Sequence, residues 1–226
     1  IRVNEVGAAN DVFVNEYWRK NDWIELYNNT DYDLELGGLY VSNNINKPMA
    51  YQIPTGTFAD VTQIPAHGRL VVWADKLESL SQIHTGFQLS NVDGLKVVVT
   101  SSAEFEANNE AYFAAHPEMK NFQDALIYDV HDYNQSVGRY PDGGNAIYLM
   151  SRPSIGKANV HITQDVLLRY DEGVWKGDPS GIGQIAIEGE ASDENSRSAV
   201  YYDLLGRRVA KPVDGQLLLR GRYPQK

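Results

Sequence analysis

Residues 22–43 read DWIELYNNTDYDLELGGLYVSN, and the fold turns on how this stretch is parsed. Trp23, Glu25 and Tyr27 alternate with Ile24 and Leu26, the period-two pattern of a strand with one face buried. Asn28, Asn29 and Asp31 follow as a polar corner whose short side chains can hydrogen-bond their own backbone. Leu34–Val41 reads as the next strand, with Gly37-Gly38 as punctuation where a side chain would obstruct the turn. Working outward, short apolar runs predict strands at Arg2–Val6, Met49–Ile53, Arg69–Ala74, Leu95–Thr100, Ala125–Val130, Ser136–Arg139 and Ala146–Met150. RLVVWA, at 69–74, is apolar without a break, as in a strand covered on both sides. Lys47-Pro48, Ile64-Pro65 with His67-Gly68, Asp93-Gly94 and Pro141-Asp142-Gly143 supply turns. Many short strands spaced in this way make an all-β sandwich or barrel. Its interior is expected to hold Trp23, Leu26, Leu36, Leu39, Leu70, Val72, Phe87, Leu89 and Val98, filling the roughly 10 Å between two sheets.

One segment breaks the rhythm. AEFEANNEAYFAAHPEMKNF, residues 103–122, is rich in helix formers, and Phe105, Asn109, Tyr112 and Phe113 fall at spacings that share a helix face. It reads as a helical insertion that decorates the sandwich and ends near Pro117, because the residue before a proline resists helical geometry. Beyond Asn159 the pattern loosens. Ile162–Tyr170 can form one more strand, whereas Asp171–Ser196, dominated by Gly, Asp, Glu and Ser, reads as linker. AVYYDL (199–204) and GQLLLRG (215–221) are expected to pair as a hairpin, too small to stand alone and therefore docked. The expected organisation is a sandwich over 1–161, an extended segment over 162–196 and a small C-terminal β-hairpin unit over 197–226.

The chain has 226 residues and a formal net charge of -10. Its length suits one domain with a small appendage. Surplus carboxylates repel a phosphate backbone, so no nucleic-acid partner is expected. The one basic cluster, Arg207, Arg208, Lys211, Arg220 and Arg222, reads as solvated strand ends. Cysteine is absent, which excludes disulfides, thiolate metal sites and cysteine nucleophiles. No run approaches the ~20 apolar residues of a membrane helix. The first residues, IRVNEV, have no signal-peptide design, and because the chain begins at Ile1 rather than Met this bears in neither direction on export.

The order of motifs is more telling than any one of them. VNEV, DWIELYNNTDYDLELGGLYVSN, IPAHGRLVVWADK, HTGFQLSNVDGLKVVV, VGRYPDGG and RPSIGKAN follow one another between Ile1 and Asn159. Element by element this resembles the lamin-tail family, outside the helical insertion. The resemblance implies an immunoglobulin-like sandwich used for interaction or adhesion, commonly attached to exported bacterial enzymes and surface proteins. SAVYYDLLGRRVAKPVDGQLLLRG (198–221) also resembles the tails of exported Bacteroidetes proteins, some of which act as sorting signals, although the closing RGRYPQK departs from their basic, apolar ending. Together these imply a non-catalytic module of the cell surface or periplasm, accessory to a larger exported protein, with a protein or glycan partner.

Candidate chemistry is sparse. His67, His84, His116, His131 and His161 are dispersed with no metal-ligand spacing; His67 reads as a turn residue and His84 as an exposed loop residue. Asn29, Asp31, Asp33 and Glu35 alternate like a calcium loop, but Leu34 stands where glycine is needed and Tyr40 where glutamate is needed. Asp11 with Glu16 is the remaining calcium candidate. No GxSxG is present, Ser180 lies in the linker, and Gly156-Lys157 lacks the rest of a phosphate loop, so no cofactor is expected. Paired carboxylates leave an acidic hydrolase as one alternative. Loop aromatics give the other: Tyr17, Trp18, Tyr133, Tyr140 and Trp175 have flat faces on which a sugar can stack, as in a carbohydrate-binding module.

Overall fold

In the first strand, Val3 and Val6 both point into the core although they are three residues apart, which simple alternation forbids. A bulge resolves the conflict. In the computed structural model, β1 (Arg2–Gly7) pairs antiparallel with β2 (Asp22–Tyr27), and the register slips between Val3 and Glu5. The extra residue puts both Asn4 and Glu5 on the outer face and returns Val6 to the inner one. The structure describes residues 1–56, 59–81, 83–92 and 94–159, with backbone alone for 59 and 60 and for the strands over 166–171, 174–176, 200–202, 208–209 and 219–221.

After β2 come β3 (Leu34–Glu35), β4 (Tyr40–Ser42), β5 (Tyr51–Gln52), a single helical turn α1 (Ala59–Thr62), β6 (Gln63–Ile64), β7 (Arg69–Ala74) and β8 (Leu95–Thr100). The helices α2 (Ala103–Asn108) and α3 (Glu110–Ala115) precede β9 (Gln123–Tyr128), β10 (Ser136–Arg139), β11 (Ile147–Met150), β12 (Val166–Asp171) and β13 (Val174–Lys176). These strands form a seven-stranded antiparallel sheet ordered β13-β12-β11-β10-β1-β2-β7, a four-stranded sheet β5-β4-β8-β9 and a small β3-β6 pair. One apolar cluster joins the inner faces: Val3, Val6, Ile24, Leu26 and Val72 from the first sheet meet Val41, Val97, Val99, Leu126 and Tyr128 from the second. This is the expected all-β sandwich.

Strand parity corrects the expected interior at two positions. Ile24 and Leu26 enter the core, so Trp23 lies on the outer face of β2, where it is buried all the same. Phe13 meets its ring edge-on at 6.5 Å, and a Cβ on Gly7 would stand 2.5 Å from the indole. Val98 likewise faces away from Val97 and Val99 yet is buried. Leu36, Leu39, Val72, Phe87 and Leu89 take their expected places in the core, with Leu70 half-buried against it. The expected Leu34–Val41 strand is two short ones, because Gly38 turns the chain between them in a left-handed conformation (φ +88°).

The helical insertion is core rather than decoration. Phe105 and Phe113 are fully buried and stack edge-on at 5.8 Å, and Phe122 meets Phe105 at the same distance. Asn109, between α2 and α3, imitates a neighbouring strand: it donates to Glu35 O and accepts from Glu35 N, both at 2.8 Å. The α-helical stretch ends at Ala115, near Pro117 as expected, and a single 3-10 turn follows over Pro117–Met119. Ser102 caps α2 by accepting from Phe105 N at 3.1 Å while donating to Gly38 O at 2.7 Å. Replacing Ser102 with alanine removes both bonds, and urea denaturation should show a loss of about 1–2 kcal/mol.

Two chain segments differ from expectation. Val166–Asp171 falls on the strand expected over Ile162–Tyr170, whereas Val174–Lys176 is a further strand of the large sheet where the sequence suggests linker. Ile1–Asp178 forms one compact unit. Within the second unit, 179–226, the expected pair is present as Val200–Tyr202 beside Leu219–Gly221, and Arg208–Val209 adds a third strand on the other side of Val200–Tyr202.

Candidate interaction site

At the end of the sandwich where β1 leads into β2, three connections lie side by side: 8–21, 75–94 and 129–135. Each is held by side-chain hydrogen bonds rather than left to solvent. Asn10 accepts from Val12 N and Phe13 N and donates to the carbonyls of Phe13 and Asn21, closing the base of the first loop. Asn15 accepts from Tyr17 N at 2.9 Å and Arg19 N at 3.0 Å, and its own carbonyl accepts from Trp18 N at 3.0 Å. Asp22, whose carboxyl burial pushes up to about 6, hydrogen-bonds the backbone of Asn10 and Leu89 and so ties the first loop to the second.

Two histidines complete the scaffold. His84, expected in an exposed loop, is fully buried: Asp75 holds Nδ1 at 2.7 Å and Glu16 holds Nε2 at 2.9 Å, with the Tyr17 ring edge-on at 5.7 Å. The polar ring is tolerated inside because both nitrogens have partners. His131 accepts from Ala8 N at Nε2 (3.0 Å) and donates from Nδ1 to Asp129 O (2.8 Å), which fixes the neutral tautomer. Burial lowers its pKa in the same sense. Asn91 bonds both backbone groups of His131, linking the second loop to the third.

On this rigid base stands the apolar surface of the described residues. Val12, Val14, Tyr17, Trp18, Val92, Val130 and Tyr133 are exposed here, and the remaining four exposed large hydrophobics, Tyr32, Ile45, Met49 and Met119, lie elsewhere in the sequence. Trp18 is 86% exposed and Tyr133 69%. Trp18 also sits at φ 61°, a left-handed conformation that disfavours any bulky residue. Of the other aromatics singled out in the sequence, Tyr140 is half-buried against Tyr148 and Met150, and Trp175 lies on β13 with its side chain outside the described residues. Asp11 and Glu16 are engaged separately, Asp11 by Lys20 at 2.9 Å and Glu16 by His84.

A family model described as the Lamin Tail Domain matches residues 5–160. The chain belongs to the lamin tail domain family. No curated protein and no solved structure matches it. Lamin tail domains are immunoglobulin-like and generally non-enzymatic, in keeping with a role in interaction. Among the described residues no helix is long and apolar enough to cross a membrane.

In this lamin tail domain the motifs that are far apart in sequence meet on the outer face of the large sheet. Asn4 and Glu5 of VNEV, Glu25 of WIELY, Asp142 and Gly143 of VGRYPDGG, and Ser154, Gly156 and Asn159 of RPSIGKAN share one hydrogen-bond network. Asn4 donates to Glu25 at 2.8 Å and to Asp142 at 2.7 Å, and accepts from Gly143 N at 2.9 Å. Arg69 pairs with Asp142. Neither this network nor the buried Arg139 of β10 is legible in the sequence, because charged and amide residues in strands ordinarily face water.

Proposed function

We propose that this lamin tail domain is an accessory interaction module of an exported bacterial protein, and that it grips a protein partner with the 8–21, 75–94 and 129–135 end, Trp18 being the anchor. The observation that carries the proposal is Trp18 itself: a large apolar ring held almost wholly in solvent, in a backbone conformation that glycine or asparagine would adopt with less strain. Strain and exposure together are a feature that stability alone would remove. Tryptophan and tyrosine dominate protein interfaces, and apolar side chains gathered on one set of loops suit a partner surface. Export and a cell-surface or periplasmic site are supported by the resemblance of 198–221 to Bacteroidetes tails, and a sorting role for that tail belongs to the same proposal.

Val12, Val14, Val92 and Val130, exposed on the same three connections as the two rings, favour protein over carbohydrate, since sugar sites surround stacking rings with hydrogen-bonding groups. A photo-crosslinking amino acid placed at Trp18 in the producing cells should trap a discrete protein, while the same probe at Tyr32 should not. Trp18→Asn should weaken that association roughly 30-fold or more, the effect of losing a hot spot of about 2 kcal/mol. Its folding stability should hold or rise by up to about 1 kcal/mol, because asparagine tolerates the left-handed backbone. Binding on a glycan array that is lost in Trp18→Asn would transfer the site to carbohydrate recognition, and equal crosslinking from both positions would refute it.

A further inference from the structure

The outer-face network contains one proton fewer than its contacts require. Ser154 Oγ lies 2.5 Å from Glu5 Oε2 and 2.5 Å from Asn159 Oδ1. Asn159 Nδ2 is directed at the carbonyls of Arg139 (2.8 Å) and Asn4 (3.5 Å), so the atom facing Ser154 has to be its oxygen. A hydroxyl has a single proton and cannot donate to two acceptors at once. An ionised Glu5 would leave two oxygens at 2.5 Å with nothing between them. A proton on Glu5 Oε2 removes the conflict: Glu5 donates to Ser154 Oγ, and Ser154 donates to Asn159 Oδ1. Glu5 Oε1 then accepts from Ser136 Oγ at 2.5 Å and Ser154 N at 2.9 Å.

The surroundings favour the neutral form. Glu5 lies directly across the β1–β2 ladder from Glu25, with Asp142 near both. Arg69 engages Asp142 and stands 3.9 Å from Glu25. The Arg139 guanidinium turns away, toward Asp124 and the carbonyls of Val3, Ala125 and Gly144. Arg152 and Lys157, on the segment above, are exposed. Burial raises the Glu5 carboxyl, and burial together with the neighbouring Glu5 raises Glu25 to about 8.

We infer that Glu5 is a neutral hydrogen-bond donor at physiological pH and that the relay from Glu5 through Ser154 to Asn159 latches the 151–159 strap onto β1 and β2, a latch that alkali opens by removing the Glu5 proton. The strap carries the chain from β11 toward β12, and it is also pinned by Gly156 N on Glu25 Oε2 at 2.6 Å. The sign follows from linkage. Both carboxyls are raised in the folded state, so above the ordinary carboxyl range the unfolded chain releases protons that the folded one keeps. Their contribution is fully present below that range and is lost as the pH rises through the folded values.

Carbon-detected NMR titration of the glutamate-labelled domain reads Glu5 without any variant. Its carboxyl should remain in the protonated position through neutral pH, and protection of the Ser154 and Gly156 amides against hydrogen exchange should fall as the pH rises beyond it, by roughly tenfold per unit once the acid ionises. Glu5→Gln keeps a donor facing Ser154 without a charge, so its protection should stay flat over the same range. A Glu5 carboxyl that titrates in the ordinary carboxylate range overturns the inference. So does flat wild-type protection, or loss of protection in Glu5→Gln at neutral pH.

Discussion

Replacing Phe105 with alanine should remove about 3–5 kcal/mol of folding stability, the range for deleting a large aromatic from a packed core. Phe105 touches three parts of the domain at once. It stacks on Phe113 of α3 and on Phe122 ahead of β9, and its backbone N–H is bonded to the Ser102 cap. Gly38 packs so closely against this turn that a Cβ there would stand 2.5 Å from Phe105 N. The neighbourhood therefore cannot collapse into the vacated space, because helix, turn and strand are pinned by separate bonds, and the cavity contribution stays large. Urea denaturation measures the loss. Ala107→Ser, on the exposed side of α2, is the control and should change stability by no more than about 0.5 kcal/mol. A Phe105→Ala loss below about 1 kcal/mol would mean that the insertion is decoration after all.

Arg139→Ala should be comparably damaging, about 3–5 kcal/mol, for a different reason. Arg139 is buried on β10 and donates to Val3 O at 2.7 Å, Ala125 O at 2.8 Å and Gly144 O at 2.9 Å, with Asp124 at 3.2 Å. Ala125 and Asp124 belong to β9 of the small sheet, whereas β10 and β1 belong to the large one, so a single planar group fastens the two layers together. Asp124 keeps Arg2 at 2.8 Å and Val3 N at 2.8 Å after the substitution. The loss then comes chiefly from carbonyls left buried without donors and from the cavity. Arg139→Lys should recover less than half of it, because one ammonium cannot span acceptors arranged around a guanidinium fork. Hydrogen exchange should show the Val3 and Ala125 neighbourhoods loosening together in Arg139→Ala. Loosening confined to one sheet would contradict the fastening role.

Much of the fold was readable from local pattern. WIELY alternates with a period of two, the turn residues break the chain where strands end, and the α-helix of the insertion ends at Ala115, two residues before Pro117. The family could be named because its motifs occur in a fixed order. Pattern failed where one residue shifts the parity. The Val3/Glu5 slip cannot be seen in RVNEVG, and without it Glu5 would be assigned to the wrong face. Trp23 reads as an inner residue because a hydrophobic side chain on an outer face has the same pattern, and only the 8–21 loop that covers it distinguishes the two. His84 reads as exposed because its burial depends on Asp75, nine residues before it, and Glu16, sixty-eight before it.

The candidate site divides along the same line. Tyr17, Trp18 and Tyr133 were visible as loop aromatics, but so were Tyr140 and Trp175, and only the fold shows which rings of the described loops stand in water. The Glu5 relay was invisible: its partner Ser154 lies 149 residues away. The sequence by itself determined the strand-forming segments, the turns and the lamin tail family, since backbone periodicity and turn chemistry act over a few residues. Tertiary structure alone decided which polar groups lose water and which aromatic rings keep it, because desolvation depends on neighbours brought together from distant parts of the chain.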